Sequence, residues 1–423
     1  MNIPQKMNIL MIAYFFPPIG GSGALRPLKL AKYLPLLGWK PIILTVKNPD
    51  WYYASDPQLL KELRSDTIIK RSFAFRSAWF YRLMNPLRIR HIDQMIKRFF
   101  IHPDDQIGWL PFAYFSAIDI IRKHKIKAVY STSGPLTCHL IAYLLKRKTG
   151  IPWIAEFRDE WLEAPELNLP TSLHRSFHYQ LEGMIVNNAD KVITMAPVVS
   201  RLLSKHYSNP KKFVTITAGF DPEDSAVPKS PGTETNAQKN FCVAFVGLFY
   251  DSFRPNAFMK ALKELIAEGK VPQEEIKVQF VGANAPNDID FRDKYGICEF
   301  SGFVSHNEAL QYLYKANALL LLLSKERGEG VIPSKVFEYI ASGKPILALV
   351  PPRGEVAKII KKTNTGIVVD FEDIEGIKKA YLQLYRKWKQ RKDVFFKPDW
   401  EEVVKFDLIH LTKKIAKLLN DMT

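Results

Sequence analysis

Lys335 and Glu338 stand one helical turn apart in the stretch from Gly328 to Leu349, Gly-Glu-Gly-Val-Ile-Pro-Ser-Lys-Val-Phe-Glu-Tyr-Ile-Ala-Ser-Gly-Lys-Pro-Ile-Leu-Ala-Leu. An ammonium group there can neutralise a phosphate, and a carboxylate one turn inside can accept bonds from hydroxyls. Gly328 and Gly330 permit tight turns ahead of it, Pro333 suits a helix start, and Ser334 predicts an N-cap. A helix from about Lys335 to Gly343 would present unpaired amides and a positive dipole end to the same anion. An ordinary capped helix packed on a strand would carry the same spacing, so the chemistry depends on the surroundings.

Further candidates lie at predicted strand ends. Arg254 ends a loop that opens on Gly247, where its fork can grip a phosphate bidentately; an exposed arginine at a helix start is the plainer reading. Arg158, Asp159 and Glu160 follow a predicted strand, the place where open parallel sheets bind ligands, although a structural salt bridge would also put them there. Arg26 begins the first predicted helix and could hold an anion or simply cap that helix at the surface. His174 and His178 have a zinc-compatible spacing but lack the intervening glutamate of the metalloprotease motif, so surface histidines are predicted.

The elements that must position these groups alternate between strand and helix. Asn8 to Ala13 reads as a buried strand, Tyr14 to Gly23 as a glycine-rich loop, Ala24 to Leu37 as a helix and Ile42 to Val46 as a second strand. This is a Rossmann-like opening. Arg26 stands where the dinucleotide fingerprint needs its third glycine, and the P-loop lysine is missing, which disfavours an NAD-dependent enzyme. Further strands are predicted at Ala128 to Thr132, Pro152 to Glu156, Ala189 to Met195 and Val214 to Thr217. Pro222 to Asn240, rich in Pro, Ser, Thr and Gly, reads as a linker, after which the alternation restarts at Cys242. Buried strands are predicted at Ala318 to Leu323 and Ile346 to Val350, and a single helix from Trp400 to Leu419.

With 423 residues, the chain exceeds the roughly 250 to 300 at which single cores stop growing. A net charge of +17 calls for an anionic partner: nucleic acid, a phospholipid surface or a phosphate-bearing substrate. No recognised nucleic-acid module accompanies it. Phe73 to Ile101, crowded with aromatics and arginines, could lie at a membrane interface or form a solvated helix with an apolar inner face. Three scattered cysteines argue against a disulfide framework or cysteine metal site and for a reducing cytoplasm. The apolar run near the amino terminus lacks a signal-peptide cleavage site, and no window is apolar enough to span a bilayer. A soluble or peripheral protein is predicted.

The wording Pro333-Ser-Lys-Val-Phe-Glu-Tyr-Ile-Ala-Ser-Gly-Lys-Pro345 resembles the nucleotide-sugar site of family 4 glycosyltransferases, in a bacterial surface-polysaccharide branch. The resemblance implies the GT-B fold, an α/β architecture of two Rossmann-like domains facing across a cleft. It implies an acceptor domain over residues 1–222, a linker over 223–240, a donor domain over 241–398 and a terminal helix over 399–423 packing back on the first domain. In that family the helix glutamate, here Glu338, binds ribose hydroxyls. An earlier glutamate contacts the transferred sugar; its position falls on Gly330, with Glu329 one residue before.

Donor binding is thus expected at Gly21, Arg254, Gly330, Val331, Ile332, Ser334, Lys335 and Glu338. Catalytic roles are expected for Arg158, Asp159 and Glu329, and acceptor or phosphate contacts for Ser22 and Arg26. Two positions depart from the family: Leu248 replaces a diphosphate-binding arginine, and Arg158 a sugar-contacting histidine. The implied reaction is a metal-independent, cofactor-free, retaining transfer from a UDP-, GDP- or other nucleotide sugar to a glycan or polyprenyl-diphosphate-linked acceptor. The partners expected are that donor, that acceptor and an anionic membrane surface, with no nucleic acid. A nucleotide-sugar epimerase of the same fold and a non-catalytic homologue are the alternatives.

Overall fold

The computed structural model describes residues 7–49, 53, 55–77, 84, 90–162, 167, 169–207, 209–224, 240–247, 255–282, 295–323, 329–390 and 397–423. The chain forms two compact units: Met1–Thr217 with Leu408–Thr423, and Ala218–Asp407. Of the linker expected at 223–240, only residues 223, 224 and 240 are among the described residues.

Unit 1 is built on a seven-stranded sheet in the order β3-β2-β1-β4-β5-β6-β7. Its strands are β1 (Met7–Ile12), β2 (Trp39–Val46), β3 (Ile68–Ser72), β4 (Ile126–Thr132), β5 (Trp153–Phe157), β6 (Lys191–Thr194) and β7 (Phe213–Thr215). Every pairing is parallel. Parallel strands covered by helices on both faces read as continuous apolar runs, and Ile9 to Ile12 are wholly buried. Strand order reverses between β1 and β4, so the crevice beyond their carboxyl ends receives the glycine-rich loop on one side and Ser133-Gly134-Pro135 on the other.

Unit 2 repeats the plan with six parallel strands in the order β10-β9-β8-β11-β12-β13. They are β8 (Phe241–Val246), β9 (Ile276–Val281), β10 (Cys298–Phe300), β11 (Ala318–Leu322), β12 (Ile346–Leu349) and β13 (Gly366–Val369). Here the reversal falls between β8 and β11, which aims the segment after Val246 and the segment leading to Lys335 at one sheet edge.

The helix predicted from Trp400 to Leu419 is two helices, Trp400–Val403 and Leu408–Asn420, separated by a 3-10 turn at Val404–Phe406 and an extended Asp407. Tertiary contacts override the local pattern. The Phe406 carbonyl accepts a bond from the Phe220 amide at 3.1 Å, and its ring lies 5.2 Å from that of Phe337, so this end belongs to unit 2. Leu408, Leu411, Ile415 and Leu419 instead enter the core of unit 1 beside Ile9, Leu28 and Trp39. There the Trp39 indole donates to Asn420 Oδ1 at 2.9 Å.

Candidate functional site

In unit 2 the helix Lys335–Ala341 packs Val336, Phe337, Tyr339 and Ile340 into the core without residual exposure. Lys335 and Tyr339, four positions apart, share the face turned to β8. The Tyr339 hydroxyl accepts the Val246 amide proton at 2.8 Å, fastening the helix to the last residue of that strand. One turn earlier, Lys335 Nζ stands 4.1 Å from the centroid of the Phe245 ring. Gly247 follows at φ +136°, and a Cβ there would collide with Lys335 Nζ. Behind it, even a Cβ on Gly282 would lie 3.5 Å from the Gly247 carbonyl oxygen. The sequence thus places a cation against bare backbone at the ends of β8 and β9.

Burial pushes the Lys335 ammonium down to about 8, with Glu338 pulling weakly the other way. The ring face of Phe245 replaces only part of the lost hydration. A desolvated cation of this kind gains most from an anion that can reach it. The expected N-cap is not formed: Ser334 is exposed, has helical dihedrals and makes no side-chain capping bond. Val336 and Phe337 already donate to the carbonyls of Pro333 and Ser334, each at 3.1 Å. With two of the first amides of this seven-residue helix already paired, the full positive charge at this edge is that of Lys335.

The Glu329 side chain is exposed, and its carbonyl accepts a bond from the Glu355 amide at 2.8 Å, tying the segment to the start of the helix Glu355–Lys362. Gly330 is buried, and Val331 and Ile332 are half-buried on the way into the Lys335 helix. Glu338 is half-buried. Arg254, Leu248 and Gly328 lie outside the described residues.

The remaining candidates belong to unit 1. Gly21, at φ +85°, precedes the helix Ser22–Tyr33. Arg26 turns inward from that helix rather than capping it at the surface. Its Nε and Nη2 donate to Glu156 Oε1 at 3.0 and 2.7 Å, and Nη1 donates to the Thr217 carbonyl at 2.6 Å. The anion it holds is internal, which corrects the expectation of an acceptor or phosphate contact. Burial alone would raise the Glu156 carboxyl, but the Arg26 charge and bonds outweigh it and leave it below the usual range. Glu156 Oε2 accepts from Thr132 Oγ1 at 2.9 Å, and Thr132 Oγ1 accepts from Arg158 Nε, also at 2.9 Å.

Arg158 Nη1 donates to the Gly23 carbonyl at 2.6 Å, joining the end of β5 to the first turn of the helix Ser22–Tyr33. Arg26 thus binds the buried carboxylate directly and Arg158 reaches it through Thr132, at the strand ends beside exposed Asp159. Glu156 and Thr132 escaped sequence reasoning because their partners are remote in the chain. Tyr339 was legible as a helix residue, but nothing local signals that its hydroxyl takes a strand amide.

His178 is buried, not a surface residue. Its Nδ1 accepts from the Trp161 indole at 3.0 Å, and its Nε2 lies 2.9 Å from His102 Nδ1. Burial, reinforced by His102 and His174, pushes it down to about 4. Among the described residues no group of three or more His, Cys, Asp or Glu side chains is arranged to hold a metal ion. No helix among them is long and apolar enough to cross a membrane.

Residues 240–387 match the family model described as Glycosyl transferases group 1. No curated protein sequence matches the chain. Solved structures of similar fold include the sucrose-phosphate synthase from Thermosynechococcus elongatus, with a TM-score of 0.63 at 16% identity over 98% of each chain. A glycosyltransferase from Rickettsia africae gives 0.63 at 15% identity, over 99% of this chain and 98% of that one. Anabaena HepE in complex with UDP-glucose gives 0.62 at 12% identity, over 98% of this chain and 100% of that one. The architecture of two Rossmann-like units is that of GT-B glycosyltransferases.

Proposed function

We propose that this chain is a retaining glycosyltransferase of family 4, moving a sugar from a nucleotide donor to a glycan or polyprenyl-diphosphate-linked acceptor in bacterial surface-polysaccharide synthesis. The observation that carries the reading is the half-buried Lys335, its ammonium set between the Phe245 ring and the bare backbone of Gly247 at the strand-order reversal of unit 2. The match over residues 240–387 takes in that constellation together with Arg254 and residues 329–338. HepE, a protein of the same fold, was solved with UDP-glucose.

In this reading Lys335 and Arg254 meet the donor diphosphate and stabilise the negative charge that grows on it as the glycosidic bond breaks. Glu338 holds the ribose hydroxyls; Gly330, Val331 and Ile332 line the sugar, with Glu329 near the reacting carbon. Ser334 and Gly21 complete the donor contacts. Arg158 and Asp159 serve catalysis, and Ser22 contacts the acceptor or a phosphate. The transfer runs without a metal or organic cofactor, in the cytoplasm or at the inner face of the cell membrane.

Thermal unfolding against a panel of nucleotide sugars tests donor binding, because a ligand of the folded state raises the transition by mass action. One or a few donors should raise it in the native chain, and Glu338→Ala or Arg254→Ala should abolish the shift. A panel that leaves the transition unmoved would overturn the reading. Release of nucleotide only in the presence of acceptor separates transfer from epimerisation, and binding without release under any acceptor would leave a non-catalytic homologue.

A further inference from the structure

Two of the three nitrogens of the Arg158 guanidinium are committed to the protein. Nε donates to Thr132 Oγ1 at 2.9 Å and Nη1 to the Gly23 carbonyl at 2.6 Å, while Nη2 has no hydrogen-bond partner among the described residues. Bonds from two different nitrogens fix both the place and the plane of a rigid fork. The main chain is held as well, the Arg158 amide donating to Ser133 Oγ at 2.8 Å. This half-buried side chain runs from the end of β5 past the end of β4 to the first turn of Ser22–Tyr33, over the strand-order reversal of unit 1. Nη2 is the nitrogen left there for a ligand.

The Thr132 hydroxyl can serve this fork in one direction only. Arg158 Nε can only donate, so the single hydroxyl proton goes to Glu156 Oε2 at 2.9 Å and a lone pair is left facing the guanidinium. We propose that Thr132 is a positioning residue for the transfer: oriented by the Glu156 carboxylate, its hydroxyl sets Arg158 so that Nη2 meets negative charge on the reacting substrates. This rests on the reading that Arg158 touches substrate. The fold does not need Arg158 to neutralise Glu156, because Arg26 donates twice to Oε1. Burial holds the Arg158 guanidinium below the usual arginine range, with Glu156 and Asp159 offsetting only part, so the cation is short of counter-charge. A fork fixed in advance also gives up no rotamer freedom when an anion arrives.

Arginine side-chain NMR on the full chain, without donor or acceptor, reads the orientation independently of any transferase activity. Native Arg158, identified by the signal that Arg158→Ala removes, should show hindered guanidinium rotation and an Nε proton slow to exchange. Thr132→Val keeps the shape and loses the hydroxyl, so it should release both; Thr132→Ser should restore both. The kinetic readout is nucleotide release from whichever donor raises the thermal transition. Thr132→Val should lower kcat roughly tenfold to a hundredfold with donor KM changed by less than about twofold, and Thr132→Ser should recover most of the loss. A merely structural threonine would lower the thermal transition and leave kcat per folded molecule as in the native chain. The inference fails if the native guanidinium rotates freely, a result that decides the matter even where the valine variant does not fold. It fails too if Thr132→Val is as hindered as the native chain, or turns over as fast while Arg158→Ala is inactive. An Arg158→Ala chain with native turnover would overturn it differently, by removing Arg158 from the reaction.

Discussion

Val246 and Tyr339 are joined by a single bond, strand amide to helix phenol, 2.8 Å long and shut away from solvent. It fixes the height of the Lys335 helix above the strand that ends at Gly247. Tyr339→Phe keeps the ring but strands the Val246 N–H, which should cost about 1–3 kcal/mol in urea unfolding. Because the same bond sets the position of Lys335, donor KM should rise more than kcat falls. A variant that loses stability and keeps its donor KM would confine Tyr339 to the core.

Lys335 should give donor binding a pH limit. The folded ammonium loses its proton near 8, against 10.5 for the free group, so the cation available to a diphosphate fades as pH rises past about 8. The ligand-free protein responds in the opposite sense. Between about 8 and 10.5 the unfolded chain holds the proton more tightly, so this group's contribution to stability rises with pH there. Donor calorimetry from pH 7 to 9.5 should show affinity falling for the native chain. Lys335→Met should bind roughly tenfold to a hundredfold more weakly at pH 7 and lose most of that slope.

Gly247→Ala adds a methyl that Lys335 Nζ already excludes and asks an L side chain to adopt φ +136°. Backbone strain of order 1–3 kcal/mol is expected, along with displacement of the ammonium. A lowered thermal transition together with a lost donor shift is the anticipated result, measured in one fluorimetric experiment.

Removing one partner of the Arg26–Glu156 pair leaves the other charge buried. Glu156→Ala should therefore destabilise by about 3–5 kcal/mol in denaturant. Glu156 is held below its ordinary range in the folded chain, so its stabilisation is present above the unfolded carboxylate value and lost as pH falls through the lower folded one. Acid unfolding of the variant should be correspondingly less steep in that window.

What the sequence revealed follows the range of the forces involved. Period and punctuation are local, so the alternation of strands and helices, the restart at Cys242 and the Lys335 helix were readable from neighbours alone. Arg26 could be placed on a helix but not turned, because the carboxylate that draws it inward lies 130 positions away. His178 was misread for the same reason: its burial depends on Trp161 and on His102, which reaches it from across 76 positions. Ser334 had the right side chain for a cap, but its backbone is already helical, which no residue preference records. The break at Asp407 is the same lesson, since a periodic apolar face says nothing about which of two cores each half will enter.

The Leu408–Asn420 helix has a consequence for biosynthesis. Its leucines and isoleucine complete a core begun at Ile9, yet the ribosome makes them only after all of unit 2. The half of the protein that emerges first must therefore wait, with an open apolar seam beside Trp39, until the half that emerges second is finished. Nascent chains arrested before residue 408 should be the ones that chaperones hold.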